Sequence, residues 1–87
     1  MPRIFIPPTM RPLVNGQDIV EAEGGTILQL IRDVDRRFPG FKDQICDGDR
    51  LQPGLAVSIN GSASYLGTSQ AVSQNSEIHF LPAVGGG

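Results

Sequence analysis

The sequence predicts an α+β domain, a mixed sheet of four to five strands packed on one main helix. Three observations predict it. Short β-branched runs near both ends of the chain are cut off by prolines. Between them lies one strongly amphipathic segment, Thr26 to Phe38, with apolar residues at spacings of three and four. A last strand then runs into Gly85, Gly86 and Gly87. The 87 residues suffice for one compact domain, assigned to residues 1–82, with 83–87 as a flexible tail.

Arg3 to Ile6 reads as the first strand, and Pro7-Pro8 stops it because proline cannot donate to a ladder. Pro7 to Gly16 holds three prolines and closes on Asn15-Gly16, so a loop is expected there. Gln17 to Ala22 alternates, with Ile19 and Glu21 on one face and Asp18, Val20 and Ala22 on the other. It is expected to pair antiparallel with the first strand. Gly24-Gly25 breaks it, and Thr26 opens the helix, with Gln29 completing a capping box. Ile27, Leu30, Ile31, Val34 and Phe38 form the apolar stripe; Arg32, Asp33, Arg36 and Arg37 lie off it. Asp33 reaches Arg37 one turn on, and Pro39-Gly40 ends the helix.

Phe41 to Gly54 is polar and turn-rich, with a helical turn over Phe41 to Ile45 that pins it to the core. Leu55 to Ile59 is a strand ending in the tight turn Asn60-Gly61. Tyr65-Leu66 reads as a brief edge strand, and Gly67 to Ser76 as an ordered loop anchored by Ala71 and Val72. Glu77 to Leu81 is the last strand, with Ile78 and Phe80 on one face and Glu77, His79 and Leu81 on the other; Pro82 ends it. This order fits the β-grasp, in which the last strand lies parallel beside the first.

Bulk properties narrow the function. A net charge of -2, with seven scattered cations, argues against nucleic acid, whose phosphates are met by clustered Lys and Arg. Lys42 is the single lysine, which disfavours a modifier that builds chains on its own lysines. Cys46 is the only cysteine, so no internal disulfide forms, and its neighbours Asp43, Asp47 and Asp49 oppose a thiolate. It is expected to be an inert, at least half-buried thiol. The N-terminus does not read as a signal peptide, and no segment approaches a membrane span. A cytoplasmic chain is expected, with no membrane partner. His79 is the lone histidine, and the aspartates around Cys46 lack the twelve-residue calcium pattern, so no metal is expected. No phosphate loop with lysine occurs. A chain this small has little room for a deep active site, which favours a carrier or binding module over an enzyme.

The glycines carry the chemistry. A glycine run adds nothing to the fold, but it can thread a narrow channel and present the Gly87 carboxylate without a steric shield. ATP spent by an activating partner would turn that carboxylate into an acyl adenylate; a persulfide could displace AMP, and a second thiol that takes over the donor sulfur in a disulfide would leave a thiocarboxylate. Leu81, Pro82 and Val84, apolar where the chain leaves the fold, read as a docking surface beside the arm, with His79 on the same strand. Two rival readings use the same residues. A ubiquitin-like modifier would join Gly87 to target lysines, and a non-catalytic β-grasp interaction domain would leave the tail idle.

Over nearly its whole length the chain resembles the MoaD/ThiS family of ubiquitin-like sulfur carriers, most closely the CysO type. The resemblance rests on Phe5-Ile6-Pro7 leading to Met10-Arg11-Pro12 and Gly16-Gln17, and on the capped helix ending at Phe38-Pro39-Gly40. It rests above all on Ile78-His79-Phe80-Leu81-Pro82-Ala83-Val84 running into the glycines. It implies a protein co-substrate with no bound cofactor, adenylated at its terminal glycine by an E1-like enzyme and then thiocarboxylated. It implies further partners for the CysO type: a pyridoxal-phosphate-dependent cysteine synthase that accepts the sulfur, and a JAMM-type metalloprotease that releases cysteine. Gly86 and Gly87 map onto the family's terminal pair, with Gly85 and Val84 before them. The turn before the last strand often carries Gly with an acidic residue; Asn75-Ser76 stands there instead, and a left-handed Asn75 is expected.

Overall fold

The computed structural model describes residues 1–82; the predicted tail, 83–87, lies outside them. Strands β1 (Arg3–Phe5) and β2 (Ile19–Glu21) form the antiparallel pair expected, with Ile4 opposite Val20. Helix α1 (Ile27–Arg37) follows, then the short α2 (Phe41–Ile45). A small hairpin of β3 (Cys46–Asp47) and β4 (Arg50–Leu51) stands apart from the main sheet. Strands β5 (Leu55–Ile59), β6 (Ser62–Ala63) and β7 (Glu77–Pro82) complete a five-stranded sheet in the order β2-β1-β7-β5-β6. β7 runs parallel to β1, pairing Ile4 with Ile78, and antiparallel to β5, pairing Val57 with Phe80. This is the β-grasp arrangement.

The core lies between sheet and helices. Ile4, Val57 and Ile78 from the sheet meet Ile27, Leu30, Ile31 and Val34 of α1, and Phe41 and Ile45 of α2, all with no exposed surface. The α1 cap forms nearly as the sequence implies. The Gln29 amide donates to Thr26 Oγ1 at 3.2 Å, while Gln29 Oε1 accepts from the Gly25 amide, one residue before the cap, at 2.7 Å. Gly24 has φ +156°, and a Cβ there would lie 2.6 Å from Gln29 Cβ, so only glycine lets the chain turn this closely against the cap.

Asp33 reaches Arg37 as the sequence reading expects, and it is also buried: it is 8 % exposed, tucked under the connection from β2 to α1. Its carboxylate accepts from the Glu23 amide at 3.0 Å and from Arg37 at 3.1 Å, and it also pairs with Arg36. Burial opposes its ionisation, but the Glu23 amide and the two guanidinium groups outweigh burial and hold the carboxyl below its ordinary value. A folded value below the unfolded one adds stability that is complete above about pH 4 and is lost as pH falls through the folded value. Asp33→Ala, which orphans the Glu23 amide, is expected to cost about 1–3 kcal/mol at pH 7. Urea unfolding of both proteins from pH 7 to pH 2 checks this; the gap between them should narrow below pH 4.

Four expectations are corrected. Pro7 to Gly16 is not a loop: Pro8–Val14 is a 3-10 helix, because Pro8 and Pro12 hold φ near helical values and buried Val14 ties the turn to the core. Asn15 (φ 57°) and Gly16 (φ 78°) make the turn expected there, at the end of that helix. Tyr65-Leu66 is not the edge strand. Asn60 (φ 52°) and Gly61 (φ 87°) make so tight a turn that pairing begins at once, with Ser62–Ala63. In the loop that follows, Ala71 is anchored by its backbone bridge to Thr26 while its side chain stays exposed; Val72 packs against the core as expected. Asn75 is not left-handed: the turn before β7 is closed instead by buried Ser76, whose hydroxyl accepts from the Ser73 amide at 2.8 Å.

Candidate functional site

β7 positions the predicted site. Alternation sends Ile78 and Phe80 into the core, and turns Glu77, His79 and Leu81 to the sheet face opposite α1. On that face Arg3 pairs with Glu77, and the rings of Phe5 and His79 stack at 4.2 Å between centroids and 12° between planes. Ser58 lies opposite His79 and Ala56 opposite Leu81. Leu81 keeps 39 % of its surface in solvent. Beside the stack, Ile19 is partly covered. Phe5, Ile19, His79 and Leu81 thus form an apolar band leading to the end of the strand.

β1 pairs with β7 only as far as Phe5 opposite His79, whereas β5 continues to Leu55 opposite Pro82. The last residues of β7 therefore leave the sheet supported on one side. His79, Leu81 and Pro82 all lie on β7, with Pro82 at its end; Val84, Gly85, Gly86 and Gly87 lie outside the described residues. Arg11, on the 3-10 helix after β1, donates from Nε to the Ile6 carbonyl at 3.3 Å near the same end. Sequence reasoning missed the Phe5 partnership, although the parallel placement of β7 beside β1 already puts Phe5 within reach of His79.

Cys46 is not part of this site. It lies on β3, is 5 % exposed, and burial pushes its thiol up; Lys42 opposes that and Asp49 adds to it. Asp49 is engaged as well. Hydrogen bonds from Lys42 (3.0 Å) and Arg32 (3.1 Å) hold its carboxyl below its ordinary value. Among the described residues no cluster of three or more His, Cys, Asp or Glu could hold a metal ion. No helix among them is long and apolar enough to cross a membrane.

The geometry is that of a scaffold holding out a strand end beside an apolar band. It matches known proteins along its whole length. The sulfur carrier protein CysO of Mycobacterium tuberculosis is 27% identical over 89 residues, covering 97% of this chain and 96% of the relative. A chain from the crystal structure of the Amycolatopsis orientalis BexX/CysO complex superposes with a TM-score of 0.89 at 30% identity, covering 100% of both chains. The crystal structure of Mycobacterium tuberculosis CysO gives 0.86 at 25% identity, over 97% of this chain and 100% of that one. Members of this group are small carriers rather than catalysts. The model of the ThiS family matches residues 4–87, the glycines included, and the chain belongs to that family.

Proposed function

We propose that this chain is a sulfur carrier whose C-terminal glycine, Gly87, is adenylated by an E1-like enzyme and converted to a thiocarboxylate. The observation that carries the reading is the placement of β7, which is locked between β1 and β5 and runs toward Val84, Gly85, Gly86 and Gly87. The rigid sheet fixes where the tail begins, and the side-chain-free glycines fit a narrow active site. His79, Leu81 and Pro82, with Phe5 beneath His79, supply a docking face for the enzymes that handle the tail. The thiocarboxylate donates its sulfur to a biosynthetic acceptor. The likeness to CysO proteins favours cysteine formation, with a pyridoxal-phosphate-dependent synthase as acceptor enzyme and a JAMM-type metalloprotease releasing the product. The chain itself binds no cofactor in this scheme.

Intact-protein mass spectrometry of the chain from its native cells tests the reading. The expected result is a species in which one oxygen is exchanged for sulfur, mapped to Gly87 by sequencing the terminal peptide. A terminus that stays a plain carboxylate beside an active adenylating enzyme and a sulfur donor would overturn it. Isopeptide-linked adducts would point to a modifier instead.

A further inference from the structure

The parallel ladder between β1 and β7 stops at a point that the residues beyond it explain. In a parallel pair, a residue donates to the residue before its partner and accepts from the residue after it. The Arg3 amide donates to the Ser76 carbonyl at 2.9 Å, with Arg3 opposite Glu77, and this sets the phase. The other side of β7 agrees with it. The Asn60 amide donates to the Glu77 carbonyl at 2.9 Å, and the Glu77 amide donates to Asn60 Oδ1 at 2.8 Å, next to β5. Ile78, Phe80 and Pro82 therefore turn their backbone groups to β1, and Phe5, opposite His79, makes the last repeat.

The next repeat would set Pro7 opposite Leu81, and it needs two bonds. One runs from the amide of residue 7 to the Phe80 carbonyl, the other from the amide of residue 82 to the Pro7 carbonyl. Both donors are proline nitrogens, which carry no hydrogen. The backbone is otherwise in place for the first of them. Pro7 is extended, with φ -56° and ψ 144°, and the Ile6 amide still donates to the Asp18 carbonyl at 2.8 Å. The Pro7 carbonyl is taken up by the Met10 amide at 2.9 Å. No loop amide among the described residues donates to the Phe80 carbonyl in place of residue 7. Pro82 does not disturb the pairing with β5, because alternation puts its nitrogen on the β1 side. Within a sheet, proline is confined to positions whose nitrogen faces no partner strand.

We infer that Pro7 and Pro82 are positioning residues for the reacting terminus. Together they end the β1 ladder, so that Leu81 and Pro82, the root of the glycine arm, are held by β5 alone. The inference rests on the carrier reading and adds to it the fold's own part in delivering the arm. An enzyme that draws Gly87 into its active site has to turn the chain at this root, and no bond to β1 then has to be broken. One proline would not suffice. With Pro7 alone, the amide of residue 82 could still reach the Pro7 carbonyl. With Pro82 alone, the amide of residue 7 could still reach Phe80. Each proline removes the bond that the other leaves possible.

Pro7→Ala tests the pair, because Pro8 keeps the residue before it extended and the regained amide then faces the Phe80 carbonyl. Two readouts are taken on the folded variant: hydrogen exchange of the amide at position 7, and ATP–pyrophosphate exchange by the adenylating enzyme of the source organism. The amide is expected to exchange at least about tenfold more slowly than in an unstructured peptide. The kcat/KM for the chain is expected to fall about fivefold, which is what one regained hydrogen bond is worth as an equilibrium. An amide that exchanges at the peptide rate overturns the inference, whatever the enzyme does. A protected amide with kcat/KM unchanged, beside an active unmodified chain, overturns the positioning role and leaves the carrier reading standing. Should Pro7→Ala fail to fold, Pro82→Ala decides by the same two readouts, with the amide at position 82 facing the Pro7 carbonyl. An unmodified chain that is never adenylated overturns the carrier reading and the positioning role together, while the exchange rate still decides the ladder.

Discussion

Removing Gly86 and Gly87 is expected to abolish adenylation of this chain while leaving its melting temperature unchanged. The truncation withdraws the reacting carboxylate by two residues, about 7 Å of extended chain. A displacement of one ångström at a reacting centre already costs about a hundredfold, so a loss beyond about a thousandfold is expected. Stability should not follow, because the core cluster ends with Phe80, before the tail begins. ATP–pyrophosphate exchange and thermal unfolding of the same two preparations check both halves. Full activity in the truncated chain would favour an interaction domain whose tail is idle.

The second large effect is on the fold. Phe41 is the largest side chain with no exposed surface, held by the five-residue α2 against α1. Phe41→Ala removes a ring from a site ringed by Ile, Leu and Val that cannot collapse fully, and is expected to cost about 3–5 kcal/mol. A domain of this size has only about 5–15 kcal/mol of net stability, so one substitution removes a large share of it. Urea denaturation at pH 7 measures the loss. Leu66→Ala, a similarly apolar deletion on the surface, should stay within about 0.5 kcal/mol.

Patterns governed by neighbours in sequence were legible. The α1 stripe and cap, the φ-positive Asn60-Gly61 turn and the alternation of β7 all depend on residues within four positions of one another. Phe41 to Ile45 was legible for the same reason. The Asp33–Arg37 pair was legible too, but the burial of Asp33 was not, because it arises where the Glu23 amide, ten residues earlier, folds down onto the carboxylate. The 3-10 helix over Pro8–Val14 was hidden because prolines end strands and open helical turns with the same preset φ. Tyr65-Leu66 has strand-like residues, but the ladder had already been started by Ser62.

The site divides in the same way. His79 and Leu81 could be placed on one face from alternation, and Pro82 from its position where the strand ends, whereas the Phe5 stack joins residues at opposite ends of the chain.

The strand order also sets a timetable for folding. β7 is the last strand to be made, yet it lies in the middle of the sheet and is the only neighbour that β1 and β5 share. Until it is synthesised, β1–β2 and β5–β6 are separate hairpins with no ladder between them, and a two-stranded piece is marginal in water. Joining β1 to β7 closes a loop of most of the chain, the kind of long-range pairing that forms late and limits the rate. The strand that completes the domain is therefore the one that leads to the glycines, and a chain interrupted before β7 has no finished sheet.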